Sequence, residues 1–426
     1  MHFDIVIVGG GAGGLELAAR LGRQLGSGQG RERVLLIDKF PFHIWKPTLH
    51  EVAAGTLDAH QEGLSYTVLA RRNHFSFTMG ELCALDTQRK TVTLEAIHGA
   101  QDEEIVPSRT VSFKRLVLAL GSGSNSFGTP GIEHAYLLEN VRDAQRFHSD
   151  WLSASARASF SNERSLSIAI VGAGATGVEL SAELLEAHAV LLDSLGSAQR
   201  FRLDISLVEG GDRILGGLPP RISEQAMLAL RRKQVNVLTG TRVQELRKGV
   251  LVTSAGEIHA DMIVWAAGIK AADSNARLGL ETNRLNQFVV DTHLRTSVPE
   301  IYAMGDCAAC PWGEDKLVPA RAQAAHQQAA YLAKVFLAML RESDVREPFV
   351  YQDLGSLVSL GDNKGVGNLM GGLAGKNFFV EGLMAKWMYM SLHLMHHRAI
   401  LGLGKTVLLA LARLLQQRVS GRLKLH

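Results

Sequence analysis

The sequence predicts an α/β fold of two similarly built halves, with the second half inserted in the first. Three observations predict it. A short apolar strand, a cluster of glycines and the start of a helix follow one another twice, first at the N-terminus and again after residue 165. Each half also contains a later strand that ends in glycine. A last strand, which ends in Gly-Asp, follows both halves, so the first half resumes after the second is complete.

The first unit begins at Phe3 with a continuous, β-branched strand typical of a buried parallel sheet. Gly9, Gly11 and Gly14 follow with the spacing G-x-G-x-x-G, and a helix begins directly after them. Such glycines permit a tight turn and a close approach of the backbone to a pyrophosphate at the positive end of the helix. The next strand ends in Asp38, where a carboxylate can accept hydrogen bonds from ribose hydroxyls. These features together predict a Rossmann-like dinucleotide-binding unit.

The same strand, turn and helix recur around Gly172, Gly174 and Gly177, and the strand that follows them ends in Glu209. Glu209 lies further along the chain from its glycines than Asp38 does from the first set, because a polar stretch lengthens the intervening segment. A carboxylate at this position favours an unphosphorylated ribose, and hence NADH over NADPH. Arg213, close in sequence, could weaken that preference.

The remaining strands indicate how the halves are nested. The strand ending at Gly121 precedes the second unit, and its counterpart in the second unit ends at Gly268. The late strand delivers Asp306 to the carboxyl edge of the sheet, where doubly wound sheets bind ligands. The predicted domains are a first half at 1–158 and 285–348, an inserted half at 159–284, and a C-terminal region at 349–426.

Composition and charge exclude several classes of protein. The net charge of +3 on 426 residues is too small to indicate a nucleic-acid partner. Three cysteines do not form a disulfide framework, which favours a reducing compartment. The apolar strand at the N-terminus is neither preceded by a basic region nor followed by a cleavage site, so we expect no secretory or transit segment. We also expect no membrane-spanning helix and no bound metal.

These residues resemble the two-dinucleotide-binding-domain flavoprotein superfamily over nearly the whole chain. Within it, the chain looks most like the type II (non-proton-pumping, single-subunit) NADH:quinone dehydrogenases. Residues 322–327 (Ala-Gln-Ala-Ala-His-Gln) match the Ala-Gln-x-Ala-x-Gln quinone-site motif of that family, and residues 46–55 and 349–356 resemble segments beside its flavin and before its membrane region. The chain departs from the family pattern at Leu120, where a Thr is usual, and at His50, where a Tyr is usual.

The resemblance implies that the first glycine motif binds FAD, that the second binds NADH, and that Asp306 contacts the ribityl chain. The flavin would accept a hydride from NADH and reduce a membrane quinone without pumping protons, a task that needs positioning more than acid–base groups. It also implies a role for Glu179 in nucleotide binding or proton supply; the alternative is an acid stabilised by the helix dipole. Lys46 is a candidate flavin neighbour, although a lone lysine is usually a solvated surface residue.

Gln323 and Gln327 lie four residues apart on a helix that we predict at residues 320–339, so their side chains project from one face. Paired neutral amides can donate hydrogen bonds to quinone carbonyls. Spacing alone favours an ordinary packed and solvated helix face, whereas the resemblance favours a quinone site.

Two other functions stay open. The first is a sulfide:quinone oxidoreductase of the same fold, which fits poorly because it needs cysteines on both sides of the flavin. Cys307 and Cys310 form C-x-x-C directly after Asp306, where packing under the flavin is the favoured interpretation. The second is a slow NADH-binding flavoprotein that acts as a redox sensor. Steady-state turnover distinguishes the sensor from the dehydrogenase.

The C-terminal region is rich in Leu, Met and Trp, and it has no acidic residue after Glu381. Two amphipathic helices are predicted there, and basic residues surround the second, a pattern typical of helices that lie in the headgroup layer of an anionic membrane. The predicted apolar positions are Leu383, Trp387, Met390, Leu394 and Met395, then Val407, Leu408, Leu411, Leu414 and Leu415. Packing on the protein itself or on a second subunit is the alternative, so a homodimer stays open. We expect a peripheral (monotopic) protein on the cytoplasmic face of the bacterial inner membrane.

Overall fold

The computed structural model describes residues 1–361, 365–370, 377–381 and 383–419, and it describes side chains through residue 361 and for residues 391, 393–413 and 415. The predicted apolar side chains of Leu383, Trp387, Met390 and Leu414 lie outside the described residues. In chain order the helices are α1 (Ala12–Arg33), α2 (Leu49–Ala54), α3 (Ala59–Glu62), α4 (Tyr66–Asn73), α5 (Val141–Phe160), α6 (Ala175–Ser194), α7 (Pro220–Arg232), α8 (Ala322–Met339), α9 (Leu383–Leu401) and α10 (Leu403–Val419).

The strands follow the same order. Those up to residue 137 are β1 (His2–Val8), β2 (Val34–Asp38), β3 (Phe42–His43), β4 (Leu64–Ser65), β5 (Ser76–Met79), β6 (Leu82–Asp86), β7 (Thr91–Leu94), β8 (Ile97–His98), β9 (Glu104–Val106), β10 (Arg109–Leu118), β11 (Gly123–Ser124) and β12 (Tyr136–Leu137). The later ones are β13 (Ser165–Val171), β14 (Arg202–Val208), β15 (Asn236–Leu238), β16 (Val243–Arg247), β17 (Val250–Thr253), β18 (Gly256–His259), β19 (Met262–Trp265), β20 (Ile269–Lys270), β21 (Phe288–Val289), β22 (Ile301–Ala303), β23 (Ala308–Ala309), β24 (Ser356–Ser359), β25 (Gly365–Met370) and β26 (Asn377–Glu381).

The first sheet has the order β5-β2-β1-β10-β7-β6, and β22 pairs with β10. Strands β5, β2, β1, β10 and β22 run parallel. Val8 lies opposite both Ile37 and Leu118, and Leu118 lies opposite Ala303, so these strands end at one edge. The glycine turn, Asp38 and Asp306 therefore all follow strands that finish side by side.

The second sheet, β12-β19-β13-β14-β15, is wholly parallel. It lies between β10 and β22 in sequence, which confirms that the second half is inserted in the first. The predicted domain boundaries at 158, 284 and 348 stay predictions. The second sheet already receives Tyr136–Leu137 from the chain before residue 158.

Each sheet has its own apolar core. In the first, α1 and α8 pack over the sheet, with Phe113 and Phe336 fully buried. In the second, α2, α5 and α6 contribute, and Trp151 is fully buried. Apolar strands covered on both faces account for the continuous hydrophobic runs in the sequence.

The glycine turns of the two halves have the same geometry. Gly9 has φ +105° and Gly172 has φ +98°, a region that L side chains rarely adopt. A Cβ at Gly14 would lie 1.9 Å from the Gly9 carbonyl oxygen, and one at Gly177 would lie 2.0 Å from that of Gly172. The helix can approach the end of its strand only because these positions carry no side chain.

The C-terminal segment folds back on both halves. Strands β24, β25 and β26 form an antiparallel sheet, β24 contacts α6, and α9 packs against α1. Among the described residues, no helix is both long enough and apolar enough to cross a bilayer.

The glycine geometry predicts the effect of two matched substitutions. Gly177→Ala should lower the free energy of unfolding by about 1–3 kcal/mol, because the added methyl collides with backbone that cannot move aside. Gly174→Ala should lower it by less than about 1 kcal/mol, the cost of losing glycine at the N-cap of α6, because no atom of the described residues lies within 4 Å of the position that its methyl group would take. Chemical denaturation followed by circular dichroism measures both. Equal losses would contradict the packing argument.

Candidate functional site

A cavity of about 680 Å³ lies where the two halves and the C-terminal segment meet. Its wall includes both glycine turns, the first turns of α8, residues 354–358, and two residues of α9. The predicted site residues that line it are Gly11, Gly14, Lys46, Gly121, Gly174, Glu179, Asp306, Gln323 and Gln327. One chamber therefore brings together residues that are separated by more than three hundred positions in the sequence.

Other predicted site residues do not line this cavity: Gly9, Asp38, Gly172, Gly177, Glu209 and Gly268. Gly9, Gly14, Gly172 and Gly177 pack within the turns, which is a structural role. Gly268 has φ +63°, and a Cβ there would lie 2.5 Å from the ring of Phe127.

Asp38 and Glu209 hold the glycine turns in the same way. Asp38 Oδ2 accepts from the backbone N–H of Gly10 at 2.6 Å, and Glu209 Oε2 accepts from that of Ala173 at 2.8 Å. Burial raises the pKa of the Asp38 carboxyl despite hydrogen bonds from two backbone N–H groups. The longer sequence spacing before Glu209 has thus not changed its place relative to the turn.

The first half presents groups suited to a dinucleotide with a polar linker. Gly11 has open space where a Cβ would be, at the N-terminus of α1. Beside it, the Ser122 hydroxyl donates to Asp306 Oδ2 at 2.9 Å, and Lys46 Nζ donates to the Ser122 carbonyl at 2.5 Å. An open turn at a helix N-terminus, with a cation and a carboxylate nearby, fits the pyrophosphate and the hydroxyls of FAD.

Glu179 is a buried acid on α6. Its Oε1 accepts from the Ser359 N–H at 3.0 Å, and its Oε2 lies 3.6 Å from His50 Nδ1. Burial raises the pKa of Glu179 to about 8 and lowers that of His50 to about 4. Both groups are therefore neutral near pH 7, and Glu179 holds a proton at the cavity wall.

Gln323 and Gln327 bind the backbone of the segment that passes in front of α8. Gln327 accepts from the Gln352 N–H at 3.0 Å and donates to the Gln352 carbonyl at 2.8 Å. Gln323 accepts from the Leu354 N–H at 3.2 Å and donates to the Gly355 carbonyl at 3.0 Å. The helix begins at Ala322, close to the predicted start. The two amides thus fix one wall of the cavity.

Sequence reasoning missed a polar cluster at the same cavity, formed by Glu16, His326 and His396. Glu16 accepts hydrogen bonds from both histidines. One signal was available: Glu16 is a charged residue in the otherwise apolar first turns of α1, two positions after the last glycine of the motif. Nothing in the sequence indicated that His396, far along the chain, would reach it.

The cysteines lie apart from this cavity. Cys307 and Cys310 are buried free thiols, and neither lines the cavity wall. Cys307 contacts the carbonyl oxygens of Met304 and Leu118. Burial raises the pKa of Cys307 to about 11 and that of Cys310 to about 12, so both are protonated and unreactive at neutral pH.

The C-terminal helices present different surfaces. On α9, His396 and Ile400 are buried against the first half. On α10, a row of large apolar side chains is exposed, namely Leu403, Val407, Leu408, Leu411 and Leu415. Arg413, on another side of α10, pairs with Glu62. The predicted basic residues Arg418, Arg422 and Lys424 have side chains outside the described residues.

Comparison with known proteins agrees with this architecture. The fold and the site define a pyridine nucleotide-disulphide oxidoreductase, and the family model of that description matches residues 3–329. Among solved structures, NDH2 from Plasmodium falciparum in complex with NADH superposes with a TM-score of 0.82 at 19% identity, covering 99% of each chain. A water-forming NADH oxidase from Lactobacillus brevis superposes with a TM-score of 0.66 at 18% identity, covering 86% of this chain and 75% of that one.

Proteins of similar sequence identify the family within this class. A type II NADH:quinone oxidoreductase from Haemophilus influenzae is 39% identical over 99% of this chain and 100% of its own length. One from Staphylococcus aureus is 30% identical over 87% of this chain and 91% of its own length. The chain therefore belongs to the type II NADH:quinone oxidoreductase family.

The pKa of Glu179 predicts a pH-dependent difference in stability. Because the folded pKa, about 8, lies above the unfolded value of 4.5, the wild type loses stability as the pH rises between these values. Glu179→Gln removes the ionisable group, so its advantage in Tm over the wild type should grow from pH 5 to about pH 8 and then level off. Exposed Glu224→Gln on α7 is the control. A Glu179→Gln difference in Tm that does not change with pH would contradict the shifted pKa.

Proposed function

We propose that this protein oxidises NADH through bound FAD and transfers the electrons to a membrane quinone. The observation that carries the proposal is the single cavity onto which both glycine turns, the start of α8 and the C-terminal segment open. Two nucleotide sites that share one chamber allow a hydride to pass directly between them, and the α8 side offers a separate wall for a second acceptor. Membership of the type II NADH:quinone oxidoreductase family supports the same assignment.

The first half would hold FAD, whose flavin accepts two electrons and passes them on. Gly11 and the N-terminus of α1 would face the pyrophosphate, with Asp306, Gly121 and Lys46 along the linker and flavin. Asp38 would act on the ribose indirectly, because its carboxylate holds the turn in place. Gly9 and Gly14 make that turn possible.

The second half would hold NADH at the corresponding turn. Gly174 has open space over the cavity, Gly172 and Gly177 set the turn, and Glu209 holds it. Gly268 would shape the end of the neighbouring strand. Glu179, protonated at neutral pH, stands between this turn and the C-terminal segment, and we assign it a role in nucleotide binding at the nicotinamide side.

The quinone would bind against the α8 side of the cavity. Gln323 and Gln327 support this site by holding residues 352–355 in place. The second amide hydrogen of Gln327 can donate to a quinone oxygen, whereas that of Gln323 is directed to Asp353 Oδ1 at 3.4 Å. A lipid-dissolved substrate requires access from the membrane, and the exposed apolar row on α10 supplies a surface of the required chemistry.

Membrane attachment through α10 is part of the proposal. Leu403, Val407, Leu408, Leu411 and Leu415 would enter the headgroup layer, and Lys405 adds positive charge beside them. Binding to the cytoplasmic face, and a homodimer, stay predictions. The buried thiols with raised pKa give no support to a sulfide oxidoreductase, and the redox-sensor alternative would require slow turnover with every acceptor.

The quinone assignment is tested by separating the two half-reactions. In anaerobic stopped-flow absorbance, the double variant Gln323→Ala/Gln327→Ala should be bleached by NADH within about twofold of the wild-type rate. Its reoxidation by a short-chain quinone should slow about tenfold, the effect of losing ~1.4 kcal/mol of positioning. Lys334→Ala, an exposed change on the same helix, is the control. Equal slowing of bleaching would show that the α8 site is not a quinone site.

The membrane surface is tested by vesicle cosedimentation. Leu408→Glu/Leu411→Glu should lower partitioning onto vesicles that contain anionic phospholipid by at least about tenfold, because each exposed leucine contributes ~1.5–3 kcal/mol when buried. Leu228→Glu, an equivalent change at an exposed leucine of α7, should leave partitioning unchanged. Equal partitioning of all three proteins would remove α10 as the contact surface.

A further inference from the structure

A buried carboxylate on α1 joins histidines from two other helices. Glu16 is 1% exposed. Its Oε2 lies 2.6 Å from Nδ1 of His326 on α8, and its Oε1 lies 2.8 Å from Nδ1 of His396 on α9. All three residues line the cavity. No role assigned so far uses this cluster.

The cluster extends inward as a chain of imidazole rings. His396 Nε2 lies 2.9 Å from His43 Nε2, and His43 Nδ1 lies 3.0 Å from the carbonyl oxygen of Gly10. His396 and His43 are both buried. The side chain of His326 is 28% exposed, so it is the member through which protons can enter or leave.

The charges around Glu16 favour its ionised form. Burial raises the pKa of Glu16, but the hydrogen bonds and the charges of His326 and His396 outweigh it, and the pKa lies below its ordinary value. From α1 itself, Arg20 approaches to 3.7 Å and Arg23 lies further along. Burial and then the charge of His396 depress the pKa of His43.

On α9, His393 and His397 also pack close to this chain. Burial lowers the pKa of His393 to about 3 and that of His397 to about 4, so both are neutral near pH 7. A carboxylate between two histidines is an arrangement that keeps a proton available within the cluster.

We propose that Glu16 is a positioning residue that fixes the ring of His326 through Nδ1, so that His326 can deliver a proton to the quinone from Nε2. This inference rests on the proposed function, since it requires a quinone in the cavity. Because Glu16 occupies Nδ1 of His326, a residue of the cavity wall, Nε2 is the ring nitrogen left to interact with a quinone. His326 lies on α8 between Gln323 and Gln327, at the wall assigned to the quinone.

The proton balance requires such a donor. The overall reaction is NADH + H⁺ + quinone → NAD⁺ + quinol, so one proton is drawn from water in each turnover. In the proposed step the Nε2–H bond of His326 breaks and one O–H bond forms on the quinone, while the electron pair and the hydrogen of the second O–H bond would come from NADH by way of the flavin. Neutral His326 then regains a proton from water, and the negative charge of Glu16 favours that uptake.

The test is Glu16→Gln in the FAD-loaded enzyme, because Gln keeps the shape and loses the charge. The pKa of His326 should fall by about one unit. NMR on protein with ¹³C-labelled histidine measures it, and the His326 signal is identified because it is missing from the spectrum of His326→Gln. The quinone step should then be about tenfold slower at pH 8 and within about twofold of wild type at pH 5, because a one-unit fall reduces the protonated fraction tenfold at high pH. Flavin bleaching by NADH should keep its wild-type rate at both values.

Controls separate positioning from folding. Asp4→Asn removes a largely buried carboxylate that pairs with Arg33 and Lys114 outside the cavity, and it should change neither the pKa of His326 nor the pH profile. Glu16→Asp, which restores the charge, should recover most of the rate at pH 8. If Glu16→Gln does not fold, His326→Gln serves instead, and its quinone step should be slow and independent of pH.

The outcomes are distinct. If quinone fails to reoxidise the reduced wild-type protein at any pH, the proposed function itself fails. If the wild type turns over but Glu16→Gln leaves the pKa of His326 and the pH profile unchanged, the positioning role is overturned and the cluster serves only to attach α9. If Glu16→Gln does not fold and the quinone step of His326→Gln keeps the wild-type pH profile, the positioning role of Glu16 is overturned as well.

Discussion

The contact between each glycine turn and the helix that follows it is the constraint on which the rest of the structure depends. Only a residue without a side chain lets α1 meet the end of β1, and the same holds for α6 and β13. This approach directs two helix N-termini toward one cavity, and a carboxylate from the neighbouring strand ties each turn in place. The side chains that line the cavity, including those of α8 and of the C-terminal segment, surround these two glycine turns.

Glu179 and Glu16, two acids at the cavity, differ in protonation state although they are the same residue type. Among the described residues Glu179 has no charged donor, and burial holds it neutral, whereas Glu16 is ionised because two histidines outweigh the same effect of burial. When two titratable groups have pKa values pushed apart by their surroundings, they can take different parts in proton movement. The acid of the second half is thus protonated near pH 7, and that of the first half is ionised and hydrogen-bonded by two histidines.

The sequence predicted most of the fold, because strand, turn and helix are local patterns. The insertion, the start of α8 and the two C-terminal helices could all be read from periodicity and glycine spacing. The site was predicted only in part. Gly11, Asp306 and Gln323 come from motifs, but the pairing of Glu16 with His396 joins residues far apart in the chain, and no local pattern encodes it. Nor could the neutrality of Glu179 be predicted, since it depends on how completely β24 covers α6.

Gln327 bonds both the N–H and the carbonyl of Gln352, which is what an adjacent strand would do for a residue at the edge of a sheet. Gln323 does the same for the next stretch of backbone, with its contacts spread over Leu354 and Gly355. Two side chains of α8 thus satisfy backbone hydrogen-bonding groups of residues 352–355, which belong to no strand. A carboxylate could not replace them, since it has no hydrogen to donate. The identity of both glutamines is therefore demanded by architecture before any substrate arrives.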